Sequence, residues 1–265
     1  IVEEQCVFTM TAAGYIKRTP ASEYAAQGKG GMGKKGITTR DEDYVVDVFT
    51  GSTHDSILFF TDTGKVYRKK GYQIPMAGKT AKGTNIVNLL DFEPGECVTA
   101  MITVDDDFSE EKNLIMVTRG GIIKRTNLAE YRPTRKGGKI ALTLDEGDEL
   151  LFVRCTDGNS ELLLTTRNGM AVRFIESEAR VMGRTARGVR GISLRGDDYV
   201  AGVCLVEEGK DLLCITENGF GKRSPFDDFR IMKNRGGFGV TCYNLTEKSG
   251  KLTGVAAVDD NDDLM

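Results

Sequence analysis

The pattern T-x-x-G-x-x-x-R occurs five times in this chain, over residues 11–18, 61–68, 118–125, 166–173 and 216–223. A pattern that returns about every 50 residues belongs to an array or to the blades of a propeller, and this constrains the fold more than any single motif. Each copy follows an apolar run, such as Ile57-Leu-Phe-Phe or Leu162-Leu-Leu. Asp62-Thr-Gly64, Arg167-Asn-Gly169 and Glu217-Asn-Gly219 place glycine where a type I turn with a following bulge needs positive φ, so each copy is expected to be a β-hairpin. The repeated threonine (Thr11, Thr61, Thr118, Thr166, Thr216) is expected to hydrogen-bond the turn backbone. The repeat arginines (Arg18, Arg68, Arg125, Arg173, Arg223) share a strand face with apolar Ile16, Val66, Ile123 and Ala171. Both a snorkelling structural role and a phosphate-binding one stay open for them.

After each hairpin come a polar passage, a basic glycine loop and two more strand-like runs. In the second repeat these runs are Asn85-Ile-Val-Asn-Leu-Leu and Cys97-Val-Thr-Ala-Met-Ile-Thr-Val, parted by the turn Asp91-Phe-Glu-Pro-Gly-Glu. No stretch keeps a helical apolar period. The expected fold is all-β, with residues 1–265 as one propeller-like domain of four-stranded blades. The blades run near residues 6–55, 56–112, 113–160, 161–210 and 211–262, and a sixth starts at Leu264-Met265. Blades arranged radially leave only short, protected sheet edges.

No apolar run approaches the roughly 20 residues of a membrane-spanning helix, and a start at Ile-Val-Glu-Glu reads as a piece of a longer polypeptide without a secretory signal. The six cysteines (Cys6, Cys97, Cys155, Cys204, Cys214, Cys242) form no C-x-x-C pair and read as reduced core residues of a cytoplasmic protein. His54, the one histidine, lies in a Gly-Ser-Thr-His-Asp turn and reads as a solvated loop residue.

Net charge is −3, but the charges are segregated. Five segments, residues 14–40, 64–84, 119–139, 167–195 and 219–239, carry 31 basic and 6 acidic residues, leaving 5 basic and 33 acidic elsewhere. Runs of one sign phased with the blades make a belt suited to a continuous polyanion. The strongest is Gln27-Gly-Lys-Gly-Gly-Met-Gly-Lys-Lys-Gly36. Lesser copies are Gly78-Lys-Thr-Ala-Lys-Gly83, Thr134-Arg-Lys-Gly-Gly-Lys139, Gly183-Arg-Thr-Ala-Arg-Gly-Val-Arg-Gly191 and Lys233-Asn-Arg-Gly-Gly-Phe-Gly239. Lysine and arginine supply phosphate contacts and glycine allows close backbone approach. With few aromatic residues in these loops and no recognition helix, the expected partner is double-stranded DNA, held through its backbone without sequence preference and bent as it follows the belt.

Gly28-Lys-Gly-Gly-Met-Gly-Lys34 imitates a nucleotide P-loop, but Lys35 stands where Ser or Thr would hold Mg²⁺ and no strand-to-helix context surrounds it. The clusters Asp105-Asp-Asp107 and Asp259-Asp-Asn-Asp-Asp263 lack the glycine and closing glutamate of a calcium loop. No catalytic constellation is present in the sequence, so no catalysis, metal or cofactor is expected of this chain itself.

The hairpin pattern, together with Tyr24-Ala-Ala-Gln-Gly-Lys-Gly-Gly-Met-Gly-Lys-Lys-Gly-Ile37, resembles the C-terminal domain of the bacterial DNA gyrase A subunit over essentially the whole chain. The resemblance implies a β-pinwheel, a disc whose blades exchange strands. It also implies wrapping of DNA round a basic perimeter, which gives strand passage the handedness that yields negative supercoils. Of the family's Gln-Arg-Arg-Gly-Gly-Lys-Gly box, Gln27, Gly30, Gly31 and Gly33 match and Lys29 replaces arginine. Gly28 and Met32 depart from it, with Lys34 and Lys35 supplying charge further along. That departure keeps the related topoisomerase IV domain, which bends DNA for decatenation and relaxation, as the alternative, and a WD-type protein-interaction propeller as a remote one. The implied partners are duplex DNA and the remainder of the gyrase A subunit with the gyrase B subunit in an A2B2 holoenzyme, and ATP and Mg²⁺ belong to that holoenzyme only. The implied location is the cytoplasm, at the nucleoid. The first loop (Gln27, Lys29, Gly30, Gly31, Gly33, Lys34, Lys35, Gly36) is expected to anchor one DNA end. Lys69, Lys70, Lys79, Lys82, Arg135, Lys136, Lys139, Arg184, Arg187, Arg190, Lys233 and Arg235 are expected to carry the duplex along the rim.

Overall fold

The computed structural model describes residues 1–24, 43–105, 108–132 and 138–262. Among them there is no α-helix, only β-strands and short 3-10 turns. The strands are β1 (Gln5–Thr11), β2 (Tyr15–Pro20), β3 (Val45–Ser52), β4 (Ser56–Thr61), β5 (Lys65–Lys70), β6 (Thr84–Asn85), β7 (Val98–Val104), β8 (Asn113–Thr118), β9 (Ile122–Asn127) and β10 (Lys139–Ile140). They continue as β11 (Leu150–Thr156), β12 (Glu161–Thr166), β13 (Met170–Ile175), β14 (Val189–Arg190), β15 (Val200–Leu205), β16 (Asp211–Thr216), β17 (Gly221–Pro225), β18 (Val240–Thr241) and β19 (Leu252–Val258). Packing divides the chain into two compact units, one of residues 1–61, 65–108 and 133–139, the other of 62–64, 109–132 and 140–265.

Every repeat opens with the expected antiparallel hairpin: β1–β2, β4–β5, β8–β9, β12–β13 and β16–β17. The hairpin glycines Gly14, Gly64, Gly121, Gly169 and Gly219 have φ between +81° and +91°, a region that a Cβ disfavours. Each threonine Oγ1 accepts the amide four residues on, at 3.1–3.4 Å. The turn is therefore specified locally by two residues three apart.

The first hairpin strand is buried on both faces, completely so in β4 and β8. In β12, Leu162 and Leu164 enter one apolar cluster with Ile115, Ile123 and Phe174, while Leu163 enters another with Leu212, Phe226 and Phe229. A strand between two clusters needs an unbroken apolar run, and each buried leucine contributes roughly 1.5–3 kcal/mol. On the other side of this strand a further one pairs antiparallel in each repeat (β3, β7, β11, β15, β19), with a register shift beside the hairpin threonine.

The sheet orders are β3-β1-β2-β6, β10-β5-β4-β7, β11-β8-β9-β14, β15-β12-β13-β18 and β17-β16-β19. The fourth strand of a sheet thus comes from the repeat that follows: Thr84 pairs with Ile16, Val189 with Ile123 and Val240 with Ala171. Among the described residues the fifth sheet has three strands, and the expected start of a sixth repeat at Leu264-Met265 lies outside them.

Two expectations need correction. Of the strand-like run from Asn85 to Leu90, only Asn85, the second residue of β6, is strand, and Ile86–Asn88 forms a 3-10 turn. The Asn85 side chain caps it by accepting the Val87 amide at 3.2 Å, while Ile86 and Leu90 are buried and Val87 is exposed. A strand would put Asn88 on the same face as Ile86 and Leu90, yet Asn88 is exposed, so the burial does not follow a strand's alternation. Among the cysteines, Cys6, Cys204, Cys214 and Cys242 are core residues, but Cys97 is exposed and Cys155 half-buried. His54 is exposed, with Nε2 3.0 Å from the Ile1 carbonyl.

Candidate nucleic-acid interface

The basic turns are built on the exchanged strands. After its 3-10 turn, the following repeat first meets the second hairpin strand in a parallel bridge, at Arg18 and Met76, Arg125 and Val181, or Arg173 and Ile231. It then leaves, turns, and returns as β6, β14 or β18. The returning glycines, Gly83, Gly188 and Gly239, have φ of +92°, +101° and +77°. A Cβ there would lie 2.5, 2.5 and 2.1 Å from the carbonyl oxygens of Ile16, Ile123 and Ala171. Their close approach is therefore to the protein's own backbone.

In two of these excursions the frame is Gly-basic-Thr-Ala-basic-Gly, closed by an Ala81 amide to Gly78 carbonyl bond of 3.1 Å and its equivalent from Ala186 to Gly183, also 3.1 Å. Each is centred on a buried lysine of the preceding hairpin. Lys17 Nζ donates to the carbonyls of Gly78, Lys79 and Ala81 at 2.9, 2.7 and 3.1 Å. Lys124 Nζ donates to Ala141 at 2.6 Å and to Arg184. Neither lysine is exposed at all. Burial pushes Lys124 down to about 7, with the Arg184 guanidinium adding to the drop and Glu130 opposing it. Burial lowers Lys17 as well, against the opposing Glu23.

Lys79 and Lys82 sit on the second repeat's turn with Nζ 5.0 Å over the Tyr24 ring and 3.6 Å over the Tyr15 ring. Lys69 and Lys70 end β5, and Lys70 Nζ donates to the His54 carbonyl at 3.1 Å. Lys139 opens β10. Arg184 donates to the Ile140 carbonyl. Arg187 forms a two-bond pair with Asp145 at 2.5 and 2.6 Å, which holds the Asp145 carboxyl below its ordinary range and raises Arg187. Arg190 and Lys233 are exposed. Arg235 donates to the carbonyls of Glu178 at 3.1 Å and Arg190 at 2.8 Å. Gln27, Lys29, Gly30, Gly31, Gly33, Lys34, Lys35 and Gly36, with Arg135 and Lys136, lie outside the described residues.

Arg187, Arg190 and Arg235 come together in an open cleft with Arg119, Tyr199, Asp145 and Asp148. Arg119 lies 4.9 Å over the Tyr199 ring and 3.5 Å from Glu149. Arg167 approaches the same ring from 5.6 Å, and Arg195 lies 4.0 Å over Phe238. Sequence reasoning leaves Arg119, Arg167 and Arg195 out of the rim. Arg119 and Arg167 both follow the hairpin threonine, and that shared position is the available signal. The cleft is mixed in sign because Asp145, Glu146 and Asp148 also line it. Asp148 secures a hairpin tip by accepting the Gly120 amide at 2.8 Å, as Asp43 and Asp198 do elsewhere for Ala13 and Asn168 at 2.9 and 3.0 Å.

Three repeat arginines are structural clamps. Arg18 Nε donates to the Ile74 carbonyl at 3.0 Å and Arg125 Nε to Ala179 at 2.7 Å. Arg173 donates to Phe226 and Phe229 at 2.9 and 3.2 Å while pairing with Glu161. Each grips the 3-10 turn of the next repeat. Arg68 instead bonds Ser56 Oγ at 3.0 Å, and exposed Arg223 pairs with Asp211 and Asp260. Among the described residues no group of three or more His, Cys, Asp or Glu is placed to hold a metal ion, and no helix is long and apolar enough to cross a membrane.

Comparison with known proteins aligns with this geometry. The family profile described as "DNA gyrase C-terminal domain, beta-propeller" matches residues 7–52, 55–105, 112–157, 160–206 and 210–259. The A subunit of DNA gyrase from Staphylococcus epidermidis is 44% identical over 267 residues, covering 100% of this chain and 30% of that protein. Its counterpart from Staphylococcus aureus (strain MRSA252) is 42% identical with the same coverage. The chain therefore spans about 30% of the length of the curated relatives it matches. Among solved structures, the C-terminal domain of DNA topoisomerase IV superposes with a TM-score of 0.84 at 27% identity, covering 98% of this chain and 79% of that one. A DNA gyrase A C-terminal domain gives 0.75 at 27% identity, covering 98% and 84%.

Proposed function

The chain belongs to the DNA gyrase C-terminal domain family, and from that premise we propose that it binds double-stranded DNA without sequence preference and wraps it. The wrap biases strand passage by a gyrase holoenzyme toward negative supercoils. The observation that carries this reading is the equivalence of the basic turns. Lys79 and Lys82 in the second repeat, and Arg184 and Arg187 in the fourth, occupy matching positions of one six-residue frame hung at one register on the preceding hairpin. Cations repeated at a fixed structural position suit phosphates repeated along a duplex. On this reading the five repeats act as one DNA-wrapping domain, with the first loop, through Lys29, Lys34 and Lys35, anchoring one end of the wrap. Catalysis, ATP and Mg²⁺ fall to the remainder of the gyrase A subunit and to the gyrase B subunit in an A2B2 assembly, at the nucleoid.

A second reading, bending without a chiral wrap, is favoured by the higher TM-score to the topoisomerase IV domain. Sealing nicked circular DNA around the isolated chain and measuring the linking number separates the two: a wrap shifts the linking number with a defined sign, and a simple bend leaves it unchanged. Affinity for duplexes of about 30 base pairs or more is expected to fall steeply with salt, as counterion release requires. No binding at low salt rules out both readings and leaves the protein-interaction propeller. Replacing Lys29, Lys34 and Lys35 with alanine is expected to abolish supercoiling by the holoenzyme while sparing relaxation, and unchanged supercoiling would remove the first loop from the wrap.

A further inference from the structure

The residue just before the repeat arginine differs between hairpins: Lys17, Tyr67, Lys124, Val172 and Lys222. The following repeat's turn differs in step. Lys17 and Lys124 precede Gly78-Lys-Thr-Ala-Lys-Gly83 and Gly183-Arg-Thr-Ala-Arg-Gly188, whereas Tyr67 and Val172 precede the diglycine sequences Arg135-Lys-Gly-Gly-Lys139 and Asn234-Arg-Gly-Gly-Phe-Gly239. We propose that Lys17 and Lys124 are positioning residues for the basic turns of the next repeat. In this assignment the residue at this hairpin position selects which of two turn types that repeat can carry.

The geometry supplies the reason. A Thr-Ala turn aims its carbonyls inward, and in the second repeat three of them converge on one ammonium that water does not reach. Without it, the Lys79 and Ala81 carbonyls lose this donor and the Gly78 carbonyl falls back on the Ala81 amide. Charge-assisted bonds satisfy them and offset the cost of the buried charge. With the carbonyls held inward, the side chains of Lys79 and Lys82 lie over Tyr24 and Tyr15. Before the diglycine turns the same hairpin position carries no lysine. Gly138 packs directly on Tyr67, where a Cβ would lie 2.8 Å from the ring, and the Tyr67 hydroxyl instead donates to Glu96 at 2.9 Å. Val172 is buried in the apolar cluster and offers no donor. The functional consequence rests on the DNA-binding reading; the pairing of lysine with turn type does not.

Limited trypsin digestion of the whole chain tests the pairing. Lys17→Met is expected to speed cleavage at Lys79 and Lys82 about ten-fold while leaving Arg184 and Arg187 as before, and Lys124→Met to do the converse, since each substitution opens its own turn locally. Unchanged cleavage at the partnered turn in a folded variant overturns the proposal. A graft guards against variants that do not fold. Residues 232–239 replacing residues 77–83 are expected to be accepted with Lys17→Val, restoring trypsin resistance and the thermal midpoint, and to lower both with Lys17 retained. Equal behaviour on the two backgrounds overturns the selection rule. In duplex binding, Lys17→Met is expected to weaken affinity by the same factor as Lys79→Ala with Lys82→Ala, with no further loss in the triple variant; additive losses would make Lys17 an independent contributor. If the unaltered chain binds no DNA, the wrapping reading fails, while the digestion and graft still decide the pairing.

Discussion

The fourth and fifth hairpins share one sequence pattern and one turn geometry, yet their second strands meet opposite environments. Ala171, Val172 and Arg173 are buried, whereas Gly221, Lys222 and Arg223 are exposed. Both arginines pair with the acid twelve residues earlier, Glu161 and Asp211. Among the described residues only Arg173 also grips carbonyls of the next repeat, at Phe226 and Phe229, and only β13 receives an exchanged strand, β18. The difference teaches that a hairpin's second strand is completed by the repeat behind it in the chain. The same residue type is a buried clamp where that repeat covers it and a surface ion pair where no described residue does.

The largest expected separation is between the two arginines. Arg173→Ala strands the partly buried Glu161 carboxylate and takes a charged donor from the Phe226 and Phe229 carbonyls, and is expected to cost about 3 kcal/mol in urea unfolding. Arg223→Ala loses an exposed pair and is expected to leave the unfolding midpoint where it was. Equal shifts would break the comparison. Next come the hairpin glycines, whose φ values are +85° at Gly169 and +82° at Gly219. A Cβ on Gly169 would lie 2.5 Å from the Tyr243 carbonyl oxygen, and one on Gly219 meets nothing within 4 Å. Alanine at Gly219 is expected to cost about 1 kcal/mol from backbone strain alone, and at Gly169 at least twice that, because the chain that follows must also shift. Thermal unfolding of both variants measures the gap, and identical losses would mean that the fifth repeat does not press on the fourth hairpin.

The last prediction concerns Lys124, a lysine covered by the following repeat where Lys222 is not. Its folded pKa of about 7 lies below the ordinary lysine value of roughly 10.4. Between those values the unfolded chain holds the proton and the folded chain does not. Stability tied to this group is thus present above the unfolded value and lost as pH falls through about 7. The stability difference between the unaltered chain and Lys124→Met is expected to shift in favour of the unaltered chain as pH rises from 7 to 10. A flat difference would mean that the carbonyls of Ala141 and Arg184 keep the ammonium charged throughout.

The hairpins are legible in the amino-acid order because their determinants are local. A threonine accepts an amide four residues on and a glycine takes positive φ, so T-x-x-G carries the whole instruction. The apolar runs are legible for a related reason, since a strand buried on both faces cannot alternate. The interface is legible as composition but not as arrangement. Arg235 and Arg187 look alike in sequence, yet one guanidinium is bound to backbone carbonyls and the other to Asp145. Arg119 and Arg167 fall within the basic segments but do not stand out among them, because they lie on hairpin tips and not in the glycine loops that supply most of the rim residues.

By itself, then, the amino-acid order determined the repeat, the hairpins and the segregation of charge, all of which depend on residues close together in the chain or on counting. Tertiary structure decided which sheet each short strand joins and what the buried cations hold. Lys17 and its carbonyl partners are 61 to 64 residues apart, and Arg173 and its partners 53 and 56. Pairings across one whole repeat leave no local pattern, because the strand that satisfies them arrives only when the next repeat folds against the last.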